Sequence, residues 1–320
     1  MNSVERANSF APPKSIVPHS PLPLSPTPDP VDRPKPDLAA PARALQENAR
    51  HAAANVSTSS TLDKLARAGY AVKGGLYAAV GIFALQLAFG EGGETTGTQG
   101  VIQKAAGGTF GSLLLVLMGI GLVGYALWRF AEAVLDARHR GSDSGGTLRR
   151  IGYFVSGLIH AGLAVEAFRL LSGGGKSESE GGAEDWTATL LAQPYGPWLV
   201  GAVGLIVVGV ALYQFKKAVS KDFTEGLRLG SLSASARRGV VRVAQFGLSA
   251  RGVVFLIIGG FLLRAAWTSN AEEARGLGGA LDAVATAGYG PWLLALVAAG
   301  LVAYGAYCAV RARYGQFARG

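Results

Sequence analysis

Apolar residues in this chain come in runs of roughly twenty, separated by polar stretches. A helix rising ~1.5 Å per residue needs about that many to cross ~30 Å of hydrocarbon. Six such runs are read at about 70–90, 110–130, 151–171, 197–215, 246–267 and 291–310. A large soluble helical protein would place polar residues at every third or fourth position. Val200–Leu212, VGAVGLIVVGVAL, has none. The pattern predicts an all-α membrane protein with six transmembrane helices.

The runs are written as three copies of a pair. Aligning Gly69 with Gly152 and Gly247 places Lys73 on Ser156 and Arg251, Gly74 on Gly157 and Gly252, Tyr77 on His160 and Phe255, and Gly81 on Ala164 and Gly259. A second landmark follows 42, 44 and 43 residues later: Phe110-Gly111, Tyr195-Gly196-Pro197-Trp198 and Tyr289-Gly290-Pro291-Trp292. Spacing kept this closely indicates internal duplication. The organisation read is a Pro-rich tail over 1–61 and repeats over 62–137, 145–222 and 240–316, each with two spans. A two-span unit keeps its orientation in the membrane. The three hairpins are therefore expected to be related by a pseudo-threefold axis along the membrane normal, without the inverted repeats of many carriers.

The small residues have a role in this picture. In lipid, helices associate through close packing, which glycine permits. Gly69, Gly74, Gly81, Gly152, Gly157, Gly247, Gly252 and Gly259 are expected as helix-packing positions. Gly119-Ile-Gly-Leu-Val-Gly124 matches a dinucleotide fingerprint, but that fingerprint needs a preceding strand, so it too is read as packing. Pro197 and Pro291 suit the first helical turn, whose N–H groups are unpaired anyway. The first repeat lacks that Pro and Trp, and its turn is expected to be looser. Short amphipathic segments precede each landmark, at Val101–Ala106, Trp186–Ala192 and Leu281–Ala287, and suit interfacial helices.

Charge sets the orientation. The net charge is +9 and the pI about 9.8, yet residues 1–64 are nearly neutral, with seven basic and six acidic groups. The excess lies in 129–150, 216–242 and the C-terminal tail, fifteen cations in all, against three in the alternate connections 91–109, 172–196 and 268–290. That alternation is the positive-inside pattern, which puts both termini in the cytoplasm. Nucleic acid is excluded as a partner. The expected partners are bilayer lipids with anionic head groups, a proline-recognising protein for the tail (Pro23-Leu-Ser-Pro26 matches PxxP), and further copies of the chain. The tail composition predicts disorder. No apolar stretch in the first sixty residues suggests a cleavable signal.

Chemistry-bearing residues are few. Cys308 is the one cysteine, and the four histidines show no metal-ligand spacing. No nucleophile triad, P-loop or paired carboxylate site is present, so neither enzyme activity nor a cofactor is expected. His160, Glu166 and Arg169 are ionisable groups inside the third span and form the candidate polar site. His160 and Glu166 are expected to line a central polar cavity, with Arg169 pairing Glu166 at i,i+3. Lys73 and Arg251, a turn inside their spans, are expected to snorkel to the head groups. Gln214, Lys216, Lys217, Arg311 and Arg313 are read as solvated charges and polar groups ending their spans.

The motifs Gly69-Tyr70, Lys73-Gly74, Phe110-Gly111, Arg251-Gly252 and Tyr289-Gly290-Pro291-Trp292 resemble the bacterial membrane family catalogued as domain of unknown function 1206. The resemblance covers about residues 62–315 and implies a two-helix module in three tandem copies. The second copy departs most, with Ser156 and His160 in place of the cation and the aromatic. The family brings no established activity and no site residues. The expectation is therefore a structural or interaction component of the bacterial inner membrane, with a channel or transporter along the repeat axis as the alternative.

Overall fold

A segment in hydrocarbon must satisfy its own backbone N–H and C=O groups, and each apolar run does so as one helix. The computed structural model describes residues 60–135, 144–174, 182–224 and 226–317. The tail, with its expected disorder and its PxxP match, and much of the basic connection after the second span lie outside these residues. In chain order the helices are α1 (Ser60–Ala88), α2 (Thr98–Ala106), α3 (Gly111–Leu135), α4 (Ser144–Leu171), α5 (Gly182–Leu191), α6 (Gly196–Ser220), α7 (Ala234–Thr268), α8 (Leu277–Ala285) and α9 (Gly290–Tyr314). Six of them, α1, α3, α4, α6, α7 and α9, are long and apolar enough to span a bilayer. The protein is all-α and multi-pass. α7, with 35 residues, is longer than a bilayer requires, and Arg237, Arg238 and Arg242 sit on its exposed first turns.

The spans follow one another around a ring. α1 packs on α3, α3 on α4, α6 on α7, α7 on α9, and α9 closes back onto α1. One contact expected of three equivalent hairpins is missing: α4 and α6, the two spans of repeat two, share no such face.

Contacts between repeats recur three times. A Cβ added at Gly74 would lie 2.8 Å from the Gly305 carbonyl oxygen; at Gly157, 2.7 Å from the Phe130 ring; at Gly252, 3.0 Å from the Phe215 ring. Gly81 and Gly259, seven residues further, continue onto the same partners, α9 and α6, at 2.6 Å from Ala298 O and Val208 Cγ2. Gly69 and Gly247 point to another side and receive their own repeat's second helix, at Tyr125 and Tyr304. Gly152 is their counterpart in repeat two, yet a Cβ there would meet nothing within 4 Å. The residues facing it explain why. Tyr125 and Tyr304, fourteen residues after their turn glycines, become Val210, and Gly121 and Gly300 become Ile206. Gly121 receives Val72 and Gly300 receives Ala250, whereas an isoleucine leaves no such hollow.

The turn into each second span closes with the same backbone hydrogen bond in all three copies, although Tyr195 enters it at φ 62° and Tyr289 at φ −116°, so the looser turn expected for repeat one does not occur. Gly111, Gly196 and Gly290 donate their N–H to the residue three back at 2.9, 2.9 and 2.8 Å. A Cβ at any of them would strike the carbonyl of Ala106, Leu191 or Ala285. Glycine sets this turn, and Pro and Trp are not required.

Both ends of the ring are covered. On one side the starts of α2, α5 and α8 meet: Gly97 approaches Gly278, Gly276 approaches Ala183, and Gly182 approaches Gln99. On the other, the residues after α9 fold back. Gly315 bridges Leu227, Gln316 N–H donates to Gly226 O at 2.9 Å, and Phe317 is buried among Tyr70 and Trp128. Arg67 fixes this end by donating to the carbonyls of Ala312, Arg313 and Gly315 at 2.9–3.0 Å. Arg150 does the same for α3, through Ala133 O and Val134 O, and Gln245 serves α6 through Ala218 O. A helix C-terminus carries unpaired carbonyls and partial negative charge, which such donors satisfy.

Candidate functional site

The ring encloses side chains that a hydrocarbon environment should reject. Lys73 is 2% exposed, and its Nζ donates to Tyr125 Oη at 2.9 Å and lies 4.5 Å from that ring's centroid. It does not snorkel. The small face beside it brings α3 so near that the phenol is a closer partner than the head groups. Arg129 donates to the same phenol oxygen through Nε at 2.9 Å and Nη2 at 2.6 Å, and reaches Tyr70 Oη at 3.2 Å. Its Nη1 pairs with Glu132 Oε2 at 2.5 Å.

Arg251 likewise turns inward. Its Nε donates to Tyr77 Oη at 3.2 Å, and its guanidinium lies 4.1 Å from the Phe255 centroid and 5.0 Å from that of Tyr304. Arg311 is buried over Tyr70 at 4.5 Å and near Phe317 at 5.8 Å. Gln214 is also buried, so of the residues read as solvated span ends, Lys216 and Arg313 are the exposed ones. Tyr77 and Tyr304 meet edge to face at 4.8 Å and join the two halves of the cluster.

Four cations, Lys73, Arg129, Arg251 and Arg311, thus share the interior with one carboxylate, Glu132. Among the described residues only Arg129 of the four forms an ion pair. A buried charge without a partner is costly. Here phenol oxygens and aromatic faces stand in for carboxylates, each desolvated cation–π contact contributing up to about 2 kcal/mol. Trp128 Nε1, Tyr307 Oη and Arg311 Nε remain buried with no hydrogen-bond partner among the described residues.

The sequence-predicted site divides. His160 is buried against Tyr125, with ring centroids 4.4 Å apart, and its Nδ1 lies 2.7 Å from Ser156 O. It belongs to the cluster. Glu166 does not. It forms a two-bond pair with Arg169, at 2.8 Å in each bond, toward the far end of α4. His160 and Glu166 do not share a site among the described residues, because six residues of helix turn the two side chains to different faces. No group of three or more metal-ligating side chains occurs among the described residues.

Sequence reasoning missed Tyr125, Arg129 and Glu132. The last two were counted with the basic connection that follows. Two signals mark them: Tyr125 and Tyr304 occupy the same place in their repeats, and Arg129 and Glu132 stand at i,i+3 within a span.

Comparison with known proteins agrees with this architecture. The family model described as Domain of Unknown Function (DUF1206) matches three times, over residues 68–136, 151–221 and 246–315. An uncharacterized protein, YxxB of Bacillus subtilis (strain 168), is 33% identical over 260 residues, which is 80% of this chain and 92% of the relative. No solved structure matches.

Proposed function

Because the chain belongs to the family described as Domain of Unknown Function (DUF1206), which carries no assigned activity, we propose its role from geometry: a non-enzymatic structural or interaction component of the bacterial inner membrane. The observation that carries this reading is the closure of the ring at both ends, by the starts of α2, α5 and α8 on one side and by Phe317 on the other. A channel along the axis would require both covers to move. The charge alternation of the connections supports cytoplasmic termini. The latch of Gly315 on Leu227 then belongs to the cytoplasmic face, which it makes a shaped surface rather than a loose tail.

Flux into proteoliposomes tests the choice. The structural reading expects ion and small-solute leak equal to that of empty vesicles. Saturable, protein-dependent flux overturns it in favour of a transporter. Tags at both ends should be digested from the cytoplasmic side only; protection of either one refutes the orientation.

A further inference from the structure

The covers at the two ends leave one side of the ring open, between α4 and α6. Residues that are buried in the other repeats are exposed there. Ile159 is 58% exposed, while its counterparts Leu76 and Val254 are at 2% and 0%; Tyr213 is 37% exposed, while Trp128 and Tyr307 are at 0% and 3%. Val155 and Ile206 face the same opening, and Gly152 and Gly209 meet nothing within 4 Å.

On the interior side of the ring stands Arg251, over the rings of Tyr77, Phe255 and Tyr304. It projects from α7 between the face that holds α6 and the face that holds α9, toward the interior. It is only partly buried, and among the described residues it has no carboxylate partner and one side-chain hydrogen bond, through Nε. An apolar slot open to the bilayer on one side of the ring, with an interior guanidinium that pairs with no carboxylate among the described residues, has the chemistry of an anionic amphiphile: tails against aliphatic side chains, head group against the cation.

We propose that the groove between α4 and α6 seats an anionic phospholipid, its acyl chains against Val155, Ile159 and Ile206 and its head group turned toward Arg251. Ser156 at the groove mouth fits this arrangement. Lys73 in repeat one fills the same position with a cation held by Tyr125, and its groove is closed. The inference needs only the membrane placement of the chain and does not depend on the structural role proposed above, which the flux assay tests separately.

The test uses the full chain, purified and delipidated in mild detergent. Its melting temperature is followed with added phosphatidylglycerol, phosphatidylcholine or inorganic phosphate, and bound lipid is counted by native mass spectrometry. Phosphatidylglycerol should raise the melting temperature by several degrees and leave lipid bound, while the other two leave it unchanged. Arg251→Gln should abolish the rise. Ile159→Trp, which fills the groove away from the cation at an exposed position, should abolish it too while leaving the lipid-free melting temperature alone. This second variant keeps the test decisive if Arg251→Gln fails to fold. An equal rise with phosphatidylcholine, a rise with inorganic phosphate alone, a rise retained in Ile159→Trp, or a dimer that covers the groove would each overturn the proposal.

Discussion

Repeats one and three are closed hairpins and repeat two is an open one. The comparison teaches which contacts build this protein. The contact between repeats, glycine against a neighbouring helix, is present at Gly74, Gly157 and Gly252 alike. The contact within a repeat needs a glycine on the first helix, and on the second a tyrosine together with another glycine. Repeat two keeps only Gly152. Its spans are held in place by their neighbours and not by each other. Close backbone approach is what binds helices in lipid, and one bulky substitution such as Ile206 removes it.

Four experiments would break or sharpen the contrast. The largest effect is expected at the buried ion pair of repeat one. Glu132→Ala leaves the Arg129 charge without its carboxylate and should cost about 3–5 kcal/mol in equilibrium unfolding in micelles. Glu166→Ala in repeat two removes a half-buried pair and should cost less, about 1 kcal/mol or below. Equal losses would show that depth does not distinguish the two.

Next comes packing. Gly74→Leu forces a side chain against the Gly305 backbone and should cost about 1–3 kcal/mol, while Gly152→Leu should stay within about 0.5 kcal/mol in the same assay. A loss at Gly152 would mean that α4 and α6 close upon each other after all.

Arg67→Met, which strips the donors from the end of α9, should cost up to about 2 kcal/mol and expose the C-terminal segment to protease. Unchanged proteolysis would mean that the bridge at Leu227 holds alone. The smallest perturbation is a pair of cysteine cross-links. Val72→Cys with Gly121→Cys sets the two Cβ positions 2.9 Å apart, so a disulfide should form on oxidation once α1 and α3 ease apart by about 1 Å, whereas Val155→Cys with Ile206→Cys should not cross-link.

Much of the architecture is legible without coordinates. Hydrocarbon admits only backbones that satisfy themselves, so runs of twenty apolar residues had to be helices, and a fixed spacing of glycines and aromatics had to mark copies of one unit. The short helices α2, α5 and α8 were equally visible, because each carries a short apolar stripe with helical spacing. The site was less so. His160 stood out as an ionisable group within a span, but its partner Tyr125 resembled any other aromatic near a membrane boundary.

Periodicity therefore settled the number of helices and their grouping in repeated pairs, since these follow from the solvent each segment meets. Three-dimensional packing alone decided that Lys73 and Arg251 turn inward, that Phe317 covers one end, and that the ring opens at repeat two. The reason is distance. A long cationic side chain reaches either water or a neighbouring helix, and which one lies nearer depends on how closely glycines elsewhere in the chain let that helix approach.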